Sequence, residues 1–270
     1  MASPTTRNFL ITGAGRGIGR GLSRLLLQRG HRVLLVDYND EELTHTTSQL
    51  SQTHKAGADF DSLNCNVRSP SDILSAVEKA KTLFSGHLDC LINNAASTSG
   101  VGGTPLSALS LADWNTSIET NLTAPMLMSQ ACLPLLRKSP ARPHGGSIVH
   151  ISSTRAVMSE PHNEPYSATK AGLLGLSQAM AVSLAEDGVR SNALLLGWIN
   201  VTNECKDADA RGQKWEEGLT AEDQAWHLTG RVGRVDDVLR AVEYLVEAEF
   251  ASGTEVVVDG GVTRKMVYPE

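Results

Sequence analysis

Short unbroken apolar runs alternate along this chain with longer stretches in which apolar positions recur every three or four residues. "NFLIT" (Asn8–Thr12), "RVLLVD" (Arg32–Asp37), "LDCLINN" (Leu88–Asn94), "GSIVHISS" (Gly146–Ser153), "NALLLG" (Asn192–Gly197) and "EVVVDGG" (Glu255–Gly261) predict strands buried on both faces. "DFDSLNCNV" (Asp59–Val67) predicts a weaker seventh. Runs without polar alternation belong to parallel sheets covered by helices on both sides. Between them the spacing predicts helices over Gly17–Arg29, Asp40–Thr53, Ser71–Phe84, Leu111–Arg137, Tyr166–Glu186 and Asp236–Ala248. Ser69-Pro70-Ser71-Asp72 supplies a helix start, with proline tolerated in the first turn. Strand–helix alternation of this kind predicts an α/β fold, a doubly wound parallel seven-stranded sheet with helices on both faces. One segment breaks the rhythm, Trp198 to Arg231, which is polar and reads as an inserted lid or substrate loop.

Composition narrows the function. At 270 residues with 41% hydrophobic residues, the chain is most simply a single domain, 1–270, with ample core. A net charge of −6 argues against a nucleic-acid partner. No apolar run approaches the ~20 residues that span a bilayer, and "MASPTTRN" lacks the apolar core of a secretory signal. Cys65, Cys90, Cys132 and Cys205 have no CxxC spacing, so reduced thiols and a cytoplasmic location are expected, with no metal site.

Directly after the first predicted strand comes "TGAGRGIG", which fits Gly-x-x-x-Gly-x-Gly through Gly13, Gly17 and Gly19. Glycines there permit a tight turn and let backbone approach a pyrophosphate seated at a helix N-terminus. An ordinary glycine-rich turn is the alternative. Asp37 ends the second strand, where an acid accepts hydrogen bonds from the adenosine ribose of a dinucleotide. Its carboxylate would repel a 2′-phosphate, whereas Arg16 could meet one. Because Asp37 would touch the ribose directly, NAD is expected over NADP.

Tyr166 and Lys170 lie four apart in "YSATKAGLLG", on one face of a predicted helix. With the preceding motifs, they make the chain resemble the single-domain short-chain dehydrogenase/reductase family, from Thr12 to Gly261. Its glycine loop matches Thr12 to Gly19, its Asn-Asn-Ala-Gly strand end matches "NNAA" (Asn93–Ala96), and its Tyr-x-x-x-Lys matches Tyr166 and Lys170. Its active-site asparagine matches Asn121 in "ETNL", and its serine matches Ser153 in "IVHISS". The resemblance implies a Rossmann-type fold and an NAD(P)-dependent interconversion of a secondary alcohol and a ketone. It implies Asn121, Ser153, Tyr166 and Lys170 as the catalytic set. For the cofactor it implies Gly13, Arg16, Gly17, Ile18, Gly19, Asp37, Asn66, Val67, Asn93, Ala95, Tyr166, Lys170, Gly197 and Ile199. Four positions depart from the pattern: Asn66 replaces an aspartate, Ala96 a glycine, Leu196 a proline and Val201 a threonine.

The chemistry follows from the residue types. A phenol of pKa ~10 is about 0.1% ionised at pH 7. An ammonium at ~4–5 Å would favour the phenolate by about 3–4 kcal/mol at an effective dielectric of ~20. Lys170 is therefore expected to pull the pKa of Tyr166 down, making Tyr166 the general acid/base. Ser153 would steady the developing alkoxide, and Asn121, by resemblance, would hold a water of the proton relay. Ser97–Pro105, Thr154–Pro165 and Trp198–Arg231 should rim the pocket; their side chains, among them Arg155, His162, Asn163, Glu164, Asn200 and Asn203, suggest a small polar substrate such as a sugar or polyol. A 3-oxoacyl thioester or a secondary-metabolite ketone is the alternative within the class, and a non-catalytic NAD(P)-sensing regulator the alternative outside it. By resemblance, the long helices Leu111–Arg137 and Tyr166–Glu186 would form a homodimer or homotetramer.

Overall fold

Seven parallel strands make one sheet in the computed structural model, which describes residues 6–99, 101–140 and 142–266. Met1–Thr5 of the N-terminal reading and Gly100 of the predicted rim lie outside those residues. The strands are β1 (Asn8–Thr12), β2 (Arg32–Asp37), β3 (Phe60–Asn64), β4 (Cys90–Asn93), β5 (Ser147–Ser153), β6 (Arg190–Leu196) and β7 (Glu255–Val258). Their order is β3-β2-β1-β4-β5-β6-β7. The chain runs outward from β1 to β3 and returns to the other side of β1 at β4. That reversal opens a crevice at the carboxyl ends of β1 and β4, where ligands bind in sheets of this kind.

The helices are α1 (Gly17–Gln28), α2 (Asp40–Leu50), α3 (Pro70–Leu83), α4 (Leu111–Ile118), α5 (Ala124–Leu136), α6 (Glu164–Ser183), α7 (Lys206–Arg211), α8 (Ala221–Trp226) and α9 (Val235–Glu247). Strand residues alternate between the two sides of the sheet. Phe9, Ile11, Val33 and Leu35 pack with Leu22 and Leu26 of α1 and with Val238 and Val242 of α9. Leu10, Leu34, Val36 and Leu91 pack with Ile73 and Val77 of α3 and with Met128 and Cys132 of α5. Both faces are thereby covered, as the unbroken apolar runs require. As predicted, α3 starts on Ser69, whose hydroxyl accepts from the Asp72 N–H, with Pro70 in the first turn. The four cysteines are free thiols, three of them buried, and burial pushes Cys65 and Cys132 up to about 12. Among the described residues, no helix is long and apolar enough to cross a membrane.

Two expectations need correction. The first and last strands in the sheet order are only partly covered: β3 is mostly half-buried, and Val257 of β7 is 40% exposed. Both stand at sheet edges, and edge position depends on strand order, which an apolar run does not encode. The single helix predicted over Leu111–Arg137 is interrupted by a π-helical turn at Glu119–Thr123. Pro125 has no N–H, so the carbonyl of Asn121 is denied its usual partner four residues on. Apart from these, the Trp198–Arg231 insertion carries α7 and α8. The second is fixed by a capping box between Thr220 and Asp223.

Candidate active site

The glycine turn is built by close backbone approach. Gly13 adopts a left-handed conformation (φ 66°), and a Cβ there would lie 2.8 Å from the Cα of Ala95. A Cβ on Gly19 would lie 2.2 Å from the Gly13 carbonyl oxygen, so only glycine lets the start of α1 press against the turn. Asn94 clamps this junction by donating to the carbonyls of Thr12 (2.9 Å) and Gly13 (3.0 Å). Thr12 Oγ1 in turn accepts from the N–H groups of Asn94 and Ala95. Arg16 sits at the N-cap of α1, whose first turn holds no acid, so the positive end of the helix dipole is left for an anion. At the end of β2, Asp37 accepts from the N–H of Gly15 (2.8 Å) and of Asn39 (2.9 Å). These bonds hold its carboxylate at the mouth of the cleft. The turn, the α1 terminus and Asp37 fit the phosphates and ribose of a dinucleotide.

A cleft of about 1380 Å³ runs from this turn across the carboxyl ends of the strands. That exceeds the ~300–1,000 Å³ of a typical small-ligand pocket and suits a dinucleotide together with a second molecule. Gly13, Arg16, Gly17, Ile18, Asp37, Asn66, Val67, Ala95, Gly197 and Ile199 line it, as do Ser153, Tyr166 and Lys170 at its other end. Asn66 accepts from the Arg68 N–H through its amide oxygen, which turns the donor end of the amide away from that bond. Of the four departures, Ala96 avoids the left-handed region, so its Cβ is tolerated. Leu196 is buried in the core on the α1 and α9 side, paired with Ser153 on β5 and Val258 on β7. Val201 packs against that core and faces the cleft.

At the reactive end, β5 delivers Ser153 and α6 delivers Tyr166 and Lys170. Ser153 Oγ accepts from the Arg155 N–H (3.2 Å), the first bond of a tight turn over Thr154–Ala156, and so keeps its own proton free to donate. Lys170 is buried; its Nζ donates to the Ile151 carbonyl (2.7 Å) and stands 5.3 Å from the centre of the Tyr166 ring. Burial pushes the Lys170 amine down to about 8. Burial pushes the Tyr166 phenol up, while the charge of Arg155 and the hydroxyl of Ser153 pull it down. This corrects the expected direction for Tyr166: desolvation outweighs the charges around the phenol, and Arg155 is a further cation acting on it. The sequence pointed to Arg155 only as a polar rim residue.

Three of the expected residues lie outside the cleft lining. Gly19 is buried against Gly13 and acts through packing. Asn93 points into the interior, donating to Ser129 Oγ (3.1 Å) next to His150. Successive side chains of a strand end face opposite sides, so Asn94, not Asn93, reaches the glycine turn. Asn121, within the π-helical turn, is 1% exposed. Its amide accepts from the Ser97 N–H (2.7 Å) and donates to the Ser97 carbonyl (3.0 Å) and to Thr169 Oγ1 (3.3 Å). The side chain so engaged fixes the loop after β4 against α6.

The insertion is tied to the glycine helix in a way no sequence signal indicated. The Gly17 N–H donates to the Glu204 carbonyl (2.7 Å). The Glu204 carboxylate, 5% exposed, bonds Arg24 (2.5 Å) and lies 3.6 Å from Arg20. Arg20 also meets Asp209 of α7 (2.5 Å), which His45 of α2 contacts at 2.7 Å. On the substrate side, Trp198 and Trp226 flank His227 with ring centres 6.2 and 5.0 Å apart.

Comparisons with known proteins agree with this geometry. The family profile described as Enoyl-(Acyl carrier protein) reductase matches residues 13–263. An uncharacterized oxidoreductase of Thermotoga maritima is 34% identical over 97% of both chains. The 3-oxoacyl-[acyl-carrier-protein] reductase FabG of Salmonella typhimurium is 31% identical over 94% of this chain and 96% of its own. An apo SCOR enzyme from Clostridium thermocellum superposes with a TM-score of 0.81 at 29% identity, covering 98% of this chain and 96% of that one. With its parallel seven-stranded sheet, glycine turn and Tyr-x-x-x-Lys helix, the chain belongs to the short-chain dehydrogenase/reductase family of oxidoreductases.

Proposed function

We propose that this protein interconverts a secondary alcohol and a ketone with NAD(H), on a small polar substrate. The observation that carries the reading is one cleft with Asp37 and the glycine turn at one end and Ser153, Tyr166 and Lys170 at the other. Gly13, Arg16, Gly17 and Ile18 would hold the pyrophosphate, Asp37 the adenosine ribose, Asn66 and Val67 the adenine, and Lys170 the nicotinamide ribose. Ala95, Gly197 and Ile199 would border the nicotinamide half. When bound, the nicotinamide supplies the acceptor or donor of the hydride. In oxidation Tyr166 takes the proton of the substrate hydroxyl; in reduction it returns one to the carbonyl oxygen. The Ser153 hydroxyl donates to that oxygen as charge develops on it. The Asn121 side chain keeps Ser97 in place, and by resemblance Asn121 would also hold a water of the proton relay.

The raised phenol pKa sets a direction. Tyr166 is protonated at neutral pH in the free protein, the form that reduction needs. kcat/KM for ketone reduction should hold through neutral pH and fall as the phenol ionises, while kcat/KM for alcohol oxidation climbs over the same range. Screening polyols, sugars and ketones with both cofactors at several pH values tests this directly. Micromolar NADH binding with no turnover of any compound would favour the cofactor-sensing regulator. The FabG similarity favours a second substrate reading, a 3-oxoacyl thioester, which a simple 3-oxoacyl thioester in the same screen separates.

Cofactor choice rests on Asp37. A carboxylate ~5 Å from a doubly charged 2′-phosphate, at a dielectric of ~40, costs roughly 3 kcal/mol. Asp37→Asn keeps an acceptor for the Gly15 N–H and removes the charge. Its NADPH affinity should rise ~10- to 100-fold relative to NADH, read by titrating cofactor fluorescence; an unchanged ratio would assign the choice elsewhere. For assembly, Ala168, Ala171, Gly175 and Val182 form an exposed, mostly small-residue face along α6, which supports pairing through that helix as a homodimer or homotetramer. Light scattering at the monomer mass of 28.8 kDa would refute it.

A further inference from the structure

We propose that Arg155 binds a carboxylate of the substrate, so that the compounds turned over are hydroxy acids and their keto acids. This assignment rests on the alcohol–ketone reading above and adds the acidic class to it. Arg155 lies two residues after Ser153, and its backbone N–H is bonded to the Ser153 hydroxyl, so the two side chains are placed by the same turn. It lines the cleft at the Tyr166 end. The chain as a whole is acidic, with a net charge of −6, yet this end of the cleft carries two cations, Arg155 and Lys170, against one carboxylate, Glu160.

The guanidinium is underused. Nη2 bonds the Glu160 carboxylate (2.6 Å), whereas Nε is buried with no partner. A guanidinium offers five N–H donors in a fork that matches a carboxylate through two parallel bonds. Lys170 does not offer that fork, because its buried ammonium is a point charge already holding the Ile151 carbonyl and assigned to the nicotinamide ribose. Glu160 is well exposed, its side chain 59% accessible, and stands in the loop between the Ser153 turn and α6. It is the group that an arriving carboxylate would displace towards solvent. The surrounding hydroxyls of Ser97, Thr98 and Ser159 suit the remaining oxygens of such a molecule. The acid group takes no part in the redox step: the C–H pair of electrons leaves as hydride, the hydroxyl proton leaves to Tyr166, and the carboxylate stays ionised.

The test compares hydroxy acids with their own primary amides, and keto acids with theirs, using purified enzyme and the preferred cofactor. Wild type should favour the acids by at least ~10-fold in kcat/KM, chiefly through KM. Arg155→Gln should raise KM for the acids ~10- to 100-fold more than KM for the amides, as expected for the loss of a charge-assisted hydrogen bond. Arg155→Lys should restore part of the difference. Glu160→Gln, which removes the competing charge, should lower KM for the acids. If wild type turns over amides as readily as acids, the carboxylate assignment falls and the dehydrogenase reading stands. An Arg155→Gln variant that loses acids and amides equally, with a shifted pH profile, would show that Arg155 acts only on Tyr166 and would overturn the assignment too. Failure to turn over any alcohol or ketone, with NADH still bound, sinks both readings.

Discussion

Tyr166→Phe should lower kcat by ~10²- to 10⁴-fold in both directions while NADH continues to bind. The ring is kept, so its contacts within α6 and the Lys170 ammonium 5.3 Å from its centre are undisturbed. What is removed is the group assigned to carry the proton that accompanies hydride movement, and loss of a positioned acid/base has that magnitude. Ser153 cannot take over, since an unassisted hydroxyl is a far weaker acid and base near neutrality. A variant retaining more than about a tenth of the wild-type kcat would remove Tyr166 from the mechanism. The residual rate should also lose the rise with pH expected of alcohol oxidation.

Lys170→Met should abolish most activity and, unusually for a buried substitution, make the cofactor-free protein more stable. The amine is pushed by burial from 10.5 to about 8. A displacement of that size represents about 3 kcal/mol of unfavourable burial of the charged form. Methionine matches the length of the side chain but gives up the bond to the Ile151 carbonyl, worth about 1 kcal/mol. The net gain, about 2 kcal/mol, corresponds to a rise of a few degrees in Tm. The sign with pH is definite. Below pH 8 the lysine is protonated in both states and its cost is fully felt. Between pH 8 and 10.5 the unfolded chain holds a proton that the native state has lost, so wild-type stability rises with pH. The advantage of the methionine variant should therefore be largest below pH 8 and shrink towards pH 10. Thermal melts at pH 7 and pH 10 check this, and a variant less stable than wild type at both would contradict it. Such a residue is retained for chemistry at the expense of stability.

How much of this was legible beforehand depended on whether the signal was local. Unbroken apolar runs revealed six of the strands because burial on two faces leaves no room for polar alternation. They could not reveal that β7 lies at an edge, since strand order is decided by the crossovers. The glycine turn could be read because Gly13 and Gly19 are required by contacts made within a few residues of themselves, apart from the approach to Ala95 and Asn94. Asn93 and Asn94 were indistinguishable as letters, and only the side of β4 that each faces assigns Asn94 to the turn. The interruption at Asn121 did have a signal, in Pro125, which the apolar periodicity of Leu111–Arg137 concealed. Tyr166 and Lys170 were correctly brought together by helical spacing, but their electrostatics were not. Desolvation is a property of the surroundings, and a further cation acting on the phenol comes from Arg155, eleven residues earlier and in another element.

Glu204 carries a consequence for anyone wishing to redesign this protein. Exchange of the segment between β6 and α9 is the obvious route to altered substrate choice, because that segment forms one wall of the pocket. Here, however, the wall is bolted through Glu204 and Asp209 to Arg20 and Arg24 on the helix that follows the glycine turn. A transplanted segment lacking both acids would leave two arginines stranded, one of them buried, on that helix. Loop and helix form one module, and grafting succeeds only when they travel together.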